Sequence, residues 1–196
     1  MAKIEIIKEQ KRNAIINAAI KAFLSEGYIG TSMDVIAHQA GVTKQTVYRY
    51  FATKEILFQT ALESQRKESQ TGLLNSLDLV DTKEALTQFA LGFLNLHLSE
   101  SHLASIRLLV SESPSAPEMT KAFFSLGPQE TKKRLTIFFE ERFKIEDPEY
   151  AMKIFTSSLL SMRMNVLIGL TPPPTQEQIH QHAKRTVSLF LKLLET

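Results

Sequence analysis

The chain has 196 residues, 43% of them apolar and 22% charged, a balance that supports a packed core and excludes a disordered or collagen-like polymer. It contains no cysteine, which excludes structural disulfides and thiolate zinc sites. The formal charge of +2 conceals an asymmetry: residues 1–54 hold eight Lys and Arg against four acids, a net +4, and the remainder carries −2. A basic head on a slightly acidic body points to an anionic partner for the head.

Apolar spacing is helical nearly throughout, with no sustained strand-like alternation, so the expected fold is all-α. Residues 9–26 read as a first helix with Ile15, Ala19, Ala22 and Phe23 on one face, closed by Gly27. Thr31-Ser32-Met33-Asp34 has capping-box form, with Thr31 as the expected cap of a second helix that ends at Gly41. Thr43 can cap a short third helix from Lys44 to about Phe51. Thr53 can cap a fourth from Lys54, with Leu57, Phe58, Ala61 and Leu62 facing inward. Further helices are expected at 83–99, 102–112, 117–126, 128–143, 148–170 and 175–195. Breaks are marked by Pro114, Pro117, Gly127-Pro128, Asp147-Pro148 and Pro172-Pro173-Pro174. The architecture is thus a three-helix N-terminal head followed by a larger helical bundle. The N-terminus lacks the apolar core of a signal peptide, and the uncharged run Met164–Gln176 is too short to span a bilayer. A cytoplasmic protein with no membrane partner is therefore expected.

The informative stretch is Thr31 to Lys54. Two short helices joined by a glycine-containing turn form a helix-turn-helix, at about 32–51, whose second helix can enter a DNA major groove. Ala37 is small where the helices cross, and Gly41 permits the positive φ of a sharp turn. Ile36, Val42 and Val47 are apolar where the pair must seal against the first helix. The outward face of the third helix is Lys44, Gln45, Thr46, Tyr48 and Arg49. No acid occurs between Gly41 and Lys54, as contact with a phosphate backbone requires.

Residues 9–69 resemble the DNA-binding domain of the TetR/AcrR family of bacterial transcriptional regulators. The matching elements are Ala22-Phe23, Gly27-Tyr28, Thr31-Ser32, Ile36-Ala37, Ala40-Gly41-Val42-Thr43, Thr46-Val47-Tyr48, Tyr50-Phe51 and Lys54-Glu55 with Leu57. Gln45 departs from the pattern, since the family often has Gly there. The resemblance implies DNA contacts from Ser32 and from Met33, the latter through its backbone N–H. It implies base reading by Lys44, Gln45 and Thr46, where Lys suits guanine and Gln adenine. It implies backbone contacts from Tyr48, Arg49, Tyr50 and Lys54, with Tyr50 also able to pack in the head.

By the same resemblance residues 70–196 form a ligand-binding and dimerisation domain. Ile106 to Glu112, with Pro114 and Pro117-Glu118, looks like the AefR-like C-terminal type. Candidate pocket residues are Phe89, Phe93, His97, Phe123, Phe124, Phe155 and Met162, which suit an apolar cavity or an ordinary core. Arg107 either pairs with Glu112 or Glu100 or faces a ligand anion. The two terminal helices can form half of a four-helix bundle with a second subunit, through Leu160, Leu167, Val187, Phe190 and Leu194.

Catalytic readings fail on spacing. His180 and His182 point to different helix faces, His97 and Glu100 lack further ligands, and no hydrolase, zincin, P-loop or dinucleotide motif occurs. No enzyme, metal or cofactor is expected. The expected protein is a homodimeric, ligand-responsive repressor on a palindromic double-stranded operator, released by a small apolar or amphipathic effector. The alternative is a helical interaction adaptor that does not bind DNA.

Overall fold

The computed structural model describes residues 2–125 and 129–194, and the side chains of these except residues 2, 3 and 65–71. The expected break at Gly127-Pro128 lies outside the described residues. Among the described residues the fold is all-α, without strands. The elements are α1 (Ala2–Gly30), α2 (Met33–Gln39), α3 (Lys44–Tyr50), α4 (Lys54–Asn75), α5 (Thr82–His97) and α6 (Glu100–Glu112). They continue with α7 (Pro117–Ser125), α8 (Gln129–Phe143), α9 (Pro148–Leu159), α10 (Arg163–Leu167) and α11 (Gln176–Leu194).

The chain divides into two compact units. The first joins Met1–Glu68 to Ala104–Gly127, so a later stretch of sequence packs with the N-terminal head. Its core combines Ile15, Ala19, Ala22 and Phe23 of α1 with Ile36, Val47, Leu57 and Phe58, and with Leu109, Met119 and Ala122 from the later segment. Phe23, Tyr28 and Phe58 form an aromatic cluster with centroids 5.0–5.6 Å apart. A small void of about 20 Å³ lies between Ile20, Phe23, Phe58, Leu62 and Leu108.

The second unit comprises Ser69–Leu103 and Pro128–Thr196. Its core is built by α5, α8, α9 and α11 around Phe89, Phe139, Phe155 and Phe190. Phe155 and Phe190 lie 4.9 Å apart, and Phe139 and Phe190 5.3 Å. Asp147 caps α9 by accepting from the Tyr150 N–H, with Pro148 in the first turn, as its sequence leads one to expect.

Two expectations are corrected. The helix anticipated over 148–170 is broken, with a 3₁₀ turn at Leu160–Met162 between α9 and α10. Just before the break, the Thr156 and Ser158 hydroxyls donate to the carbonyls of Met152 and Ile154, and this back-bonding bends helices. The cap of α2 is Ser32 rather than Thr31. Thr31 is 1% exposed, and its hydroxyl is directed to the carbonyls of Ala22 and Gly27, tying down the end of α1. Ser32, one residue on, is left to accept from the Val35 N–H.

Candidate nucleic-acid interface

The geometry of the α2–α3 pair follows from three local features. Gly41 has φ +66°, in the left-handed region that glycine adopts without steric cost, and turns the chain between the two helices. Thr43 has extended backbone dihedrals, and its hydroxyl accepts from the Thr46 N–H at 3.2 Å, capping α3. Val47 and Phe51 are buried and fix the inner face of α3 on the head's core. With one face so anchored, Lys44, Gln45, Tyr48 and Arg49 are exposed on the other, and Thr46 is half-buried.

These side chains are not equally free. The Lys44 ammonium donates to Asp34 Oδ2 at 2.7 Å, in an ion pair whose side chains are 55% and 60% exposed. That hydrogen bond and the carboxylate's charge raise the Lys44 pKa. The Arg49 guanidinium stands 5.6 Å from the Tyr50 ring centroid. Tyr50 is half-buried, and its hydroxyl donates to the Lys8 carbonyl at 3.2 Å, linking the end of α3 to the first turns of α1. The Arg12 guanidinium lies 5.6 Å from the Phe51 ring. Met33 is buried at 6% exposure, which leaves its backbone as the group that can meet a phosphate.

Lys54 is placed otherwise than a free phosphate ligand would be. Its half-buried ammonium donates to the carbonyls of Tyr28 at 2.8 Å and Thr31 at 3.1 Å, and sits 4.4 Å from the Tyr28 ring centroid. Three donors in one group suit two carbonyls left open where α1 ends. Next to it the Tyr28 hydroxyl donates to Glu55 Oε1 at 3.3 Å. Burial, and then the Glu55 charge, push the phenol well above its ordinary range. Hydrogen bonds, first from the Thr53 side chain and then from its own backbone, hold the Glu55 carboxyl below the usual range.

The remaining candidates fall in different places. Phe89 and Phe155 are fully buried and Phe93 nearly so, while His97 and Met162 are half-buried, all in the second unit. Phe93 and His97 lie 4.2 Å apart, and His97 Nδ1 is 3.0 Å from His102 Nε2. Arg107, Phe123 and Phe124 belong to the first unit, where Arg107 is exposed and Phe124 is 56% exposed. Val187 and Phe190 are buried in the core of their own unit. Leu160, Leu167 and Leu194 are half-buried. The large apolar side chains that α11 leaves exposed are instead Leu189 and Leu193.

Sequence reasoning missed Asp34 as the partner of Lys44, and Glu112. The Glu112 carboxylate accepts from the Ile29 N–H at 2.8 Å. A carboxylate ten residues before a lysine gives no periodic signal, and Glu112 is 83 residues from Ile29. Among the described residues, no group of three or more His, Asp or Glu side chains could hold a metal ion, and no helix is long and apolar enough to cross a membrane.

Comparison with known proteins agrees with this arrangement. Residues 15–61 match the model of bacterial regulatory proteins of the tetR family, and residues 84–194 match the C-terminal domain of AefR-like transcriptional repressors. Over 81 residues the chain is 33% identical to the HTH-type transcriptional repressor NicS of Pseudomonas putida, a match covering 41% of this chain and 38% of that one. The chain spans 30 to 38% of the length of the first such curated relatives. The crystal structure of a TetR-family regulator from Mesorhizobium loti superposes with a TM-score of 0.81 at 26% identity, covering 95% of this chain and 97% of the other. The flavonoid-responsive regulator FrrA gives a TM-score of 0.78 at 32% identity, covering 94% and 97%. These matches remove the adaptor alternative and the enzyme readings together. With its helix-turn-helix and the C-terminal domain that both match, the chain belongs to the TetR family and is a DNA-binding transcriptional regulator.

Proposed function

We propose that the protein is a homodimeric repressor acting in the cytoplasm, and that a small apolar or amphipathic molecule releases it from a palindromic operator. In this reading residues 9–69 bind DNA, and residues 70–196 provide the effector and dimer functions. Two copies of α3 enter successive major grooves about 34–36 Å apart. Lys44, Gln45 and Thr46 approach base edges. Tyr48, Arg49, Tyr50 and the N-terminus of α2 at Ser32 and Met33 hold the backbone.

The observation that carries this reading is the outward face of α3, whose exposed side chains Lys44, Gln45, Tyr48 and Arg49 all carry hydrogen-bond donors and include no carboxylate. Repression is favoured by the match of residues 84–194 to a repressor's C-terminal domain. A flavonoid-responsive relative at 32% identity makes flavonoids and similar aromatic molecules the first effectors to try. An effector acts only through different affinities for the DNA-bound and released forms, and DNA weakens effector binding by the same factor.

Fluorescence anisotropy on DNA tiled from upstream of the protein's own gene tests the reading, at two salt concentrations and with a scrambled competitor. Tight, competitor-resistant binding of one dimer per site, reversed by a member of an aromatic panel, is the expected result. Equally weak binding to every fragment, lost at moderate salt, is counterion release alone and overturns it. A reporter that falls when the gene is deleted makes the protein an activator.

A further inference from the structure

We infer that Asp34 is a specificity-determining residue: it serves as an internal counter-ion to Lys44, so that the lysine adds to operator binding and little to binding of other DNA. The inference rests on the base-reading role proposed for Lys44.

Lys44 is the first residue of α3, where the helix dipole disfavours a cation, and its ammonium is turned across to the first turn of α2. Asp34 stands in that first turn, where the dipole favours an anion. The 2.7 Å contact therefore holds a cation that α3 disfavours against an anion that α2 favours. Both side chains remain more than half exposed, and such a pair is worth no more than about fivefold in an equilibrium. It is weak enough to exchange for a better partner.

The two kinds of DNA offer different partners. Non-specific binding comes almost entirely from neutralising phosphates, and each cation that does so releases counterions. While Lys44 stays on Asp34 the two form a neutral pair, which adds no net charge to the surface that meets phosphate. On the operator a guanine presents two acceptors, O6 and N7, to a lysine in the major groove. Lys44 can leave Asp34 for that site, and the carboxylate can accept from a cytosine amino group beside it. The pair thus lowers the attraction common to all sequences more than the attraction to the correct one.

Asp34→Asn tests this. Non-specific affinity is expected to rise about threefold to fivefold at low salt. The slope of log K against log salt on scrambled DNA should steepen by about 0.9, the value for one more neutralised phosphate. The ratio of operator to scrambled affinity should narrow correspondingly. Asp34→Glu, which keeps the charge, should stay near wild type, and thermal melting identifies any variant that has lost its fold. The decisive arm is Asp34→Asn combined with Lys44→Ala, where the effect should vanish because Asp34 acts through Lys44. If Asp34→Asn has the same effect with and without Lys44, or shifts operator and scrambled DNA equally, the inference is overturned while DNA recognition stands. If Lys44→Ala leaves the ranking of operator variants unchanged, the base-reading role fails first and takes this inference with it.

Discussion

The Glu112 carboxylate fills the space into which a Cβ on Gly27 would project. Gly27 has φ +81° and ψ 164°, a conformation that residues with a side chain strongly avoid. The same carboxylate accepts from the Ile29 N–H, so the end of α1 and the end of α6 meet at a position where a side chain strains the backbone and displaces Glu112. Gly27→Ala should lower the unfolding free energy by about 2–4 kcal/mol, combining backbone strain with displacement of Glu112. Urea unfolding measures it. In a Glu112→Ala background the overlap is relieved and the backbone strain remains, so the second glycine substitution should cost less but still more than about 1 kcal/mol. A single Gly27→Ala variant as stable as wild type contradicts the account.

Lys54 offers a test of clamp against phosphate ligand. Its ammonium joins two carbonyls at the end of α1 and lies over the Tyr28 ring. Lys54→Met keeps most of the stem and removes these bonds, leaving both acceptors short of a partner. A loss of about 2–3 kcal/mol is expected, since hydrogen bonds to charged groups are the stronger kind. If the clamp is its whole role, the salt slope of DNA binding by the folded variant stays at the wild-type value. A slope shallower by about 0.9 would show that Lys54 also neutralises a phosphate.

The head was legible because its signals are local. Thr43 and Thr53 cap the helices that follow them, Gly41 has the positive φ the turn demands, and Leu57, Phe58, Ala61 and Leu62 are the buried stripe of α4. The cap of α2 was misplaced by one residue because Thr31 and Ser32 have the same capping chemistry. Only the packing of α1 shows that the first is buried. The body was less legible for a geometric reason. Helix α11 carries two apolar stripes: Ile179, Ala183, Val187 and Phe190 line the core, and Leu189 and Leu193 face out. Periodicity marks both stripes without telling which one the chain covers itself. The packing of residues 104–127 with the head rests on contacts far apart in sequence, which leave no periodic trace.

Tyr28 should make the protein sensitive to alkali. Its pKa is raised in the folded state, chiefly by burial and then by the Glu55 charge, so the fold favours the protonated phenol. That contribution is fully present below the unfolded pKa of about 10 and is lost as pH rises above it, because the unfolded chain releases the proton first. Tyr28→Phe keeps the ring beside Phe23 and Phe58 but removes the titrating group. At neutral pH it should cost about 1 kcal/mol for the lost hydrogen bond. Between pH 9 and 11, denaturant unfolding of the variant should decline less steeply than wild type. Parallel declines would show that Tyr28 does not carry the effect.

The two apolar stripes of α11 give opposite predictions for substitutions three residues apart. Phe190 is 5% exposed and packs on Phe139 and Phe155, so Phe190→Ala should cost about 3–5 kcal/mol of stability whatever the oligomeric state. Leu193 is 62% exposed and lies one turn from Leu189, 63% exposed, on the face the subunit leaves uncovered. If that face meets a second copy, Leu193→Glu buries a carboxylate at the interface and should weaken the dimer roughly tenfold or more. Its cost to the isolated subunit should stay within about 0.5 kcal/mol, as for other surface changes. Sedimentation velocity over a dilution series, with circular dichroism as the check on folding, separates the two effects. A folded Leu193→Glu variant that dimerises as tightly as wild type would move the interface away from this stripe. A Leu193→Glu variant that also loses its helicity would mean that a single subunit does not hold its fold alone.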